Sequence, residues 1–326
     1  MKEIKIPETA RILITGGAGF IGSNVAERLI ANNEIIILDN LTTGKIETIK
    51  SLKARGKLKF IKGDIKDLGL VRNCSRDVDY VLHFAAIVGV DYASSNPIEV
   101  LDTELAGISN ILKASLENDV KRIIYASSSE VYGESANEIL SEDITLSPRS
   151  IYGTAKMTAE LYCKSYYAEF GLESVCLRYF NVYGPRQDAR FVVAQFIKQA
   201  LNGLNITVYY NGEQTRDFTY IEDAVNATII SIMGNVAGQS INVGTGKPIQ
   251  IRKLAELISK MCSKKNQSKI LYTSPSTRRL PEFEVKHRCA DISKMQRLLN
   301  YTPSTNLNEG LGKTTDWYAK HSSSKL

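Results

Sequence analysis

The chain has 326 residues, a formal net charge of +6, 43% hydrophobic and 23% charged residues. That is ordinary for a soluble globular protein and long enough for one large α/β domain, or a large domain with a smaller appendage. No apolar run approaches the length that spans a bilayer, Met1-Lys2-Glu3-Ile4-Lys5 has no signal-peptide core, and the basic residues around Lys264-Lys265 lack interleaved aromatics. These features speak against membrane and nucleic-acid partners and for a cytoplasmic protein, the mild positive balance suiting an anionic small substrate. The 5 cysteines, Cys74, Cys163, Cys176, Cys262 and Cys289, form no CxxC pair and no histidine stands at ligand spacing, so no metal site is expected and the thiols read as reduced. The closing Ser324-Lys325-Leu326 matches a peroxisomal address, with nothing else to support it.

In chain order, Ile12-Leu13-Ile14 reads as a buried strand and 15–22 as a glycine turn opening a helix. Gly16, Gly19 and Gly22 follow a GxxGxxG spacing. The first permits a tight turn, the second lets backbone amides approach a pyrophosphate, and the third lets the helix pack closely on the strand. The helix N-terminus then turns unpaired N–H groups toward the phosphates. A second apolar strand, Ile35-Ile36-Ile37-Leu38, ends in Asp39, where a carboxylate accepts ribose hydroxyls and repels a 2′-phosphate, so NAD is expected rather than NADP. Thr42-Thr43-Gly44 is a turn. Strand three, Lys59-Phe60-Ile61, delivers Asp64 and Ile65 to its end, where the carboxylate either accepts a hydrogen bond from an adenine amino group or caps the next helix. Strand four, Tyr80-Val81-Leu82, leads into His83-Phe84-Ala85-Ala86, whose small residues suit a backbone pressed against a cofactor, with His83 as a hydrogen-bonded core histidine.

The segment 97–116 carries Ile98, Leu101, Leu105, Ile108, Ile111 and Leu112 at helical spacing, for packing on the sheet or on a second subunit. Strand five, Arg122-Ile123-Ile124-Tyr125, ends in Ala126-Ser127-Ser128-Ser129-Glu130. Strands alternating with helices over this distance imply a parallel, doubly wound Rossmann-type sheet with its ligand at the strands' carboxyl ends. The helical segment 152–170 places Tyr152 and Lys156 four residues apart on one face. There an ammonium favours the phenolate and lowers the phenol's pKa, and a serine hydroxyl from the neighbouring strand end reaches the same substrate oxygen. Past strand six, 174–179, Gly184-Pro185 breaks the rhythm. A smaller C-terminal α/β substrate lobe is read beyond it, in which Arg216 suits a phosphate. The expected division is 1–180 for the dinucleotide, with segments around 206–225 and 241–250 returning to it, and 181–326 for the substrate.

Together and in order, the glycine turn, Asp39-Asn40, Asp64-Ile65, His83 to Ala86, the serine strand end, Tyr152 with Lys156, Arg178-Tyr179-Phe180-Asn181 and the stretch 214–220 resemble an extended short-chain dehydrogenase/reductase. The resemblance is to the nucleotide-sugar epimerase and dehydratase family, with a UDP-glucose 4-epimerase-like pattern, and covers nearly the whole chain. It implies tightly held NAD, a UDP-sugar substrate whose diphosphate and base bind the C-terminal lobe, and a homodimer formed through two helices. Ser128, Tyr152 and Lys156 match the catalytic trio. Gly16, Gly19, Phe20, Ile21, Gly22, Asp39, Asn40, Thr43 and Gly44 are implied around the cofactor's phosphates and ribose, and Asp64, Ile65, Phe84, Ala85, Ala86 and Tyr179, with Tyr152 and Lys156, around the rest. Asn181, Arg216, Arg279 and Arg288, with Ser128, are implied on the substrate.

The implied chemistry oxidises the sugar at C4. A 4-epimerase then returns the hydride on the other face, a 4,6-dehydratase loses water, and a uronate decarboxylase loses carbon dioxide. Dehydratases carry Asp-Glu where this chain has Ser129-Glu130, so the acid is missing. Decarboxylases resemble the chain at Ser129-Glu130, with Glu130 as an accessory acid, and at Arg288, which suits a C6 carboxylate and narrows the pocket against an N-acetyl group. The Tyr152 helix and the Tyr179-Phe180-Asn181 segment are more like epimerases, and this ranks 4-epimerase first, UDP-glucuronate decarboxylase second and dehydratase third. A NAD-binding sensor without catalysis would have no need of the aligned trio.

Overall fold

The computed structural model describes residues 7–135, 137–262, 268–274 and 285–322. Strand and helix alternate from the start: β1 (Arg11–Thr15), α1 (Phe20–Leu29), β2 (Glu34–Asp39), α2 (Ile46–Lys53), β3 (Leu58–Lys62), α3 (Leu68–Cys74), β4 (Tyr80–His83), α4 (Val90–Ser95), α5 (Pro97–Glu117), β5 (Arg122–Ser128), α6 (Ile151–Phe170) and β6 (Ser174–Tyr179). The later chain holds β7 (Val182–Tyr183), α7 (Val192–Leu201), β8 (Ile206–Tyr209), β9 (Thr215–Asp217), β10 (Thr219–Tyr220), α8 (Ile221–Met233), β11 (Ser240–Val243), β12 (Pro248–Gln250), α9 (Ile251–Cys262), β13 (Ile270–Thr273), α10 (Ser293–Leu299) and α11 (Leu307–Ser322).

Seven strands form one sheet in the order β11-β6-β5-β4-β1-β2-β3, and every neighbouring pair is parallel. This is the expected Rossmann-type doubly wound α/β sheet. Helices cover both faces, which is why the inner strands read as unbroken apolar runs rather than alternating ones. Ile12, Leu13, Ile14, Ile35, Ile37 and Leu38 are all fully buried. The chain reverses direction across the sheet between β1 and β4, and a crevice opens there at the carboxyl ends of the strands.

The later segments return only in part. β11 joins the sheet beside β6, but β12 pairs antiparallel with β9, outside it. β8 pairs with β13 in a sheet of its own, and β10 with β7. Of the stretch 206–225, the last residues begin α8, a helix that packs on the main layer against α1 and β5. The inward face of α5 includes the expected Ile108, Ile111 and Leu112, all fully buried, and departs from expectation toward its N-terminus. Val100, Glu104, Gly107, Ile108 and Ile111 are buried, whereas Ile98 is 67% exposed.

A buried polar network joins β6, α6, β11 and the 3-10 turn Ser129–Tyr132 that follows β5. Arg178 donates from Nε and Nη2 to the two oxygens of Glu160 at 2.9 and 2.7 Å and from Nη1 to the Tyr132 hydroxyl at 2.9 Å. Tyr132 donates to Asn242 Oδ1 at 2.6 Å, and Ser240 to Glu160 Oε2 at 3.1 Å. Both charged side chains are 1% exposed. Truncating one partner strands the other charge in the interior, so Arg178→Ala is expected to lower the unfolding free energy by about 3–5 kcal/mol. The urea midpoint checks it, and a loss below about 1 kcal/mol would mean that water relieves Glu160.

Candidate active site

A cavity of about 930 Å³ occupies the crevice. Its floor is the glycine turn. Gly16 has φ of 68°, and a Cβ there would come within 2.6 Å of the Ala85 backbone nitrogen. A Cβ on Gly22 would come within 2.5 Å of the Gly16 carbonyl oxygen. No side chain caps α1, and Gly19, Phe20, Ile21 and Gly22 face the cavity, so the N–H groups of the first turn are left for an anion. Asp39 stands at the end of β2 with Oδ2 accepting from Ala18 N at 2.9 Å and Oδ1 from Leu41 N at 2.8 Å. Burial raises its pKa, and these two hydrogen bonds oppose the rise without cancelling it. Each oxygen retains a second lone pair for a hydroxyl. The cradle of glycines, the uncapped helix and the acid fit a dinucleotide.

Asn40, Thr43, Asp64, Ile65, Phe84, Ala85, Ala86 and Tyr179 also line the cavity. Gly44 does not; it packs behind the wall, where a Cβ would lie 2.6 Å from that of Ala18. Asp64 is not the helix cap. Its Oδ1 accepts from Lys66 N at 2.9 Å, while the cap of α3 is Asp67, which accepts from Leu70 N at 3.0 Å. His83 is buried, with Nδ1 2.6 Å from Thr15 Oγ1. Among the described residues no group of three or more His, Cys, Asp or Glu could hold a metal, and no helix is long and apolar enough to cross a membrane.

Tyr152, Ser128 and Lys156 meet at the other end of the cavity. Ser150 caps α6, its Oγ accepting from Gly153 N at 3.0 Å, and so sets where the first turn presents Tyr152. Lys156 Nζ lies 5.6 Å from the centroid of the Tyr152 ring but 2.8 Å from Glu104 Oε1 on α5. The expected depression of the Tyr152 pKa does not occur in the chain by itself. Burial first, then the carboxylates of Glu104 and Glu130, hold the phenol well above its ordinary value, against the Ser128 hydroxyl bonded to it. Glu104 is the residue that sequence reasoning missed, and its signal was a carboxylate one turn before Ile108 on the inward stripe.

Glu130 and Arg288 close the wall. Arg288 Nη1 donates to Glu130 Oε1, and Ser150 Oγ to Glu130 Oε2 at 3.4 Å. Burial pushes the Glu130 carboxyl up, but Arg288, Arg216 and Ser150 outweigh it, and the group is held below the usual glutamate range. Arg288 is 3% exposed, and its Nε and Nη2 have no hydrogen-bond partner among the described residues. Arg216 on β9 reaches the same cavity and donates to the Thr215 carbonyl at 2.9 Å. Asn181, with φ of 31°, lines it too and donates to the Asp217 carbonyl at 3.1 Å. The buried Asp217 carboxylate accepts from Thr245 N, Gly246 N and Ala290 N at 3.0, 2.8 and 3.2 Å. It thereby ties β9, which carries Arg216, to the segment that carries Arg288. Arg279 lies outside the described residues.

The GDP-mannose 4,6 dehydratase family model matches residues 13–314. A UDP-N-acetyl-alpha-D-glucosaminuronate decarboxylase of Bacillus cytotoxicus is 35% identical over 319 residues, covering 94% of this chain and 97% of that one. The solved UDP-N-acetylglucosamine 4-epimerase from Methanobrevibacter ruminantium, in complex with UDP-N-acetylmuramic acid, superposes with a TM-score of 0.89 at 34% identity, covering 97% of this chain and 100% of that one. The UDP-glucose 4-epimerase of Thermus thermophilus, solved as its complex with NAD, gives 0.85 at 30% identity, covering 94% and 98%. The chain belongs to the extended short-chain dehydrogenase/reductase family of nucleotide-sugar epimerases, dehydratases and decarboxylases.

The Glu130–Arg288 pair has a testable pH signature. A carboxyl whose folded pKa lies below its unfolded value contributes stability above the unfolded value, 4.5 for glutamate, and loses it as the pH falls through the folded value. Because Glu130 is 30% exposed, Glu130→Gln should cost about 1–2 kcal/mol at neutral pH, below the figure for fully buried pairs. The variant should also lose less stability than wild type on acidification, as urea midpoints against pH would record.

Proposed function

We propose that the protein is a NAD-dependent UDP-sugar 4-epimerase. The observation that carries this reading is the meeting, in one cavity, of the Tyr152 phenol, the Ser128 hydroxyl bonded to it and a Glu130 carboxylate already committed to Arg288. As phenolate, Tyr152 takes the proton of the sugar C4 hydroxyl while Ser128 holds the same oxygen, and Tyr152 later returns that proton to complete the epimer. NAD, when bound, supplies the hydride acceptor and donor for C4. The glycine turn and the start of α1 would hold its pyrophosphate and Asp39 its adenine-side ribose. Asp64 and Ile65 would meet the adenine, and Lys156 the nicotinamide ribose. Asn181 and Arg216 would hold the substrate diphosphate.

Epimerisation needs no acid besides the tyrosine. Dehydration must protonate a departing hydroxyl, and neither Ser129 nor a Glu130 held ionised by Arg288 supplies that proton near neutrality. In the same reading residues 1–180 serve chiefly the dinucleotide and 181–326 the nucleotide sugar. Two chains would associate through the outer face of α6, where Leu161 and Phe170 are half exposed. A second reading, UDP-glucuronate decarboxylase, is favoured by the two unpartnered Arg288 nitrogens in the cavity wall, which suit a C6 carboxylate.

Purified protein incubated without added cofactor with UDP-glucose, UDP-N-acetylglucosamine and UDP-glucuronate, and followed by NMR, should give a C4 epimer. A pentose product would establish the second reading instead, and a 4-keto deoxysugar would remove both. Tyr152→Phe should cut turnover at least about ten-fold with little change in substrate affinity. Asp39→Ala should strip the retained NAD, read from the absorbance of dinucleotide released on denaturation. With Arg288→Ser, weaker turnover of the uronate and better acceptance of the N-acetyl sugar are expected.

A further inference from the structure

Behind the tyrosine lies a buried group of side chains of which the proposed reaction uses only Lys156. Lys156 and Glu104 are 2% and 1% exposed, and their 2.8 Å contact joins α6 to α5. Tyr125 donates to the same Glu104 oxygen at 2.5 Å, and Glu104 Oε2 has no hydrogen-bond partner among the described residues. The ammonium also sits 4.8 Å from the centroid of the Tyr125 ring. Lys156 faces the cavity, whereas Glu104 is not among its lining residues.

The charged and titratable groups of the cavity wall near Tyr152 and of the cluster behind it come from several elements. From α6 comes Lys156, from α5 Glu104, from β5 Tyr125 and Ser128, and from β4 His83. The turn after β5 brings Glu130 with its partner Arg288, β9 brings Arg216, and the segment before α6 brings Arg149. Burial, reinforced by Lys156, drives the His83 pKa down to about 3, so that ring stays neutral over the working range. Glu130 faces two guanidinium groups. The negative charge bonded to Lys156 is therefore Glu104. An ammonium in contact with a carboxylate presents little net field to a third group, because attraction by one is offset by repulsion from the other.

We propose that Glu104 is a positioning residue of the reaction, holding Lys156 against α5 and masking its charge from the Tyr152 phenol, so that a carboxylate outside the cavity sets the strength of the base. This rests on Tyr152 as the base, as proposed above. The carboxylate's appearance among the groups that raise the phenol's pKa agrees with it. Sequestered in this way, the tyrosine stays a phenol until bound ligands compete for the ammonium.

Glu104→Gln removes the charge and keeps the shape. The acid limb of kcat against pH should move at least about one unit lower, with KM little changed, giving roughly ten times the turnover at a pH well below the wild-type limb. A limb that stays in place would overturn the proposal. Because the single variant leaves a buried ammonium unpaired, the neutral double variant Glu104→Gln/Lys156→Gln is the companion. In protein carrying 13C at tyrosine Cζ, with Tyr152 assigned by its absence in Tyr152→Phe, the double variant should titrate within about half a unit of wild type. A rise of more than about a unit would show that the ammonium acts unmasked in the wild type, and the proposal falls. Turnover that survives Tyr152→Phe would defeat the assignment of the base instead, which the pH limb of Glu104→Gln cannot do.

Discussion

Backbone meets backbone at the glycine turn, and most of the site depends on that contact. The Gly16 residue fits against the start of the Phe84-Ala85 segment, and Gly22 lies over the Gly16 carbonyl, at separations that admit no Cβ. α1 is thus seated on the glycine turn and β1 with its first turn turned into the crevice. Asp39 fastens the turn from the other side through the Ala18 amide. The same few ångströms define where the sheet stops and where a ligand's phosphates can begin.

α6 links this floor to the reacting end. Lys156 and Glu160 stand one turn apart, both buried, and each is neutralised by an opposite charge on a different element, Glu104 on α5 and Arg178 on β6. Buried charges are costly unless paired in good geometry. A rotation or slide of α6 would break two pairs at once, so the helix has one register, and Tyr152 in its first turn has one place. The Ser150 cap adds a third restraint at the point where the helix begins.

The parallel sheet was legible because its signals are local. Glycine spacing, unbroken apolar runs and an acid at the end of β2 each occupy a few consecutive residues. Nearly all the expected cofactor and substrate positions face the cavity for the same reason, since they follow the strand ends. Side-chain pairing between distant segments was not legible. Lys156 read alone acts on Tyr152, but its nearest partner is Glu104, a charged residue on an inward face that the apolar pattern of α5 did not include. The capping of α3 by Asp67 rather than Asp64 depended on where the helix starts, which propensity leaves open by a few residues. β8 was legible as a strand, but strand character carries no address, and its pairing with β13 in a sheet of its own was not. The Glu130–Arg288 contact spans 158 positions. Only the family resemblance singled out Arg288.

Asp217 has a consequence for how such a protein diversifies. One buried carboxylate gathers β9, the loop at Thr245 and the segment at Ala290, and from that knot Arg216 and Arg288 reach the cavity. Tyr152, Ser128 and Lys156 are rooted elsewhere, in α6 and β5. Through Glu130, which pairs with Arg288 and bonds the Ser150 cap of α6, a substitution at the knot's projecting arginines is felt at Tyr152 as well, so the two ends of the cavity are free to change only together.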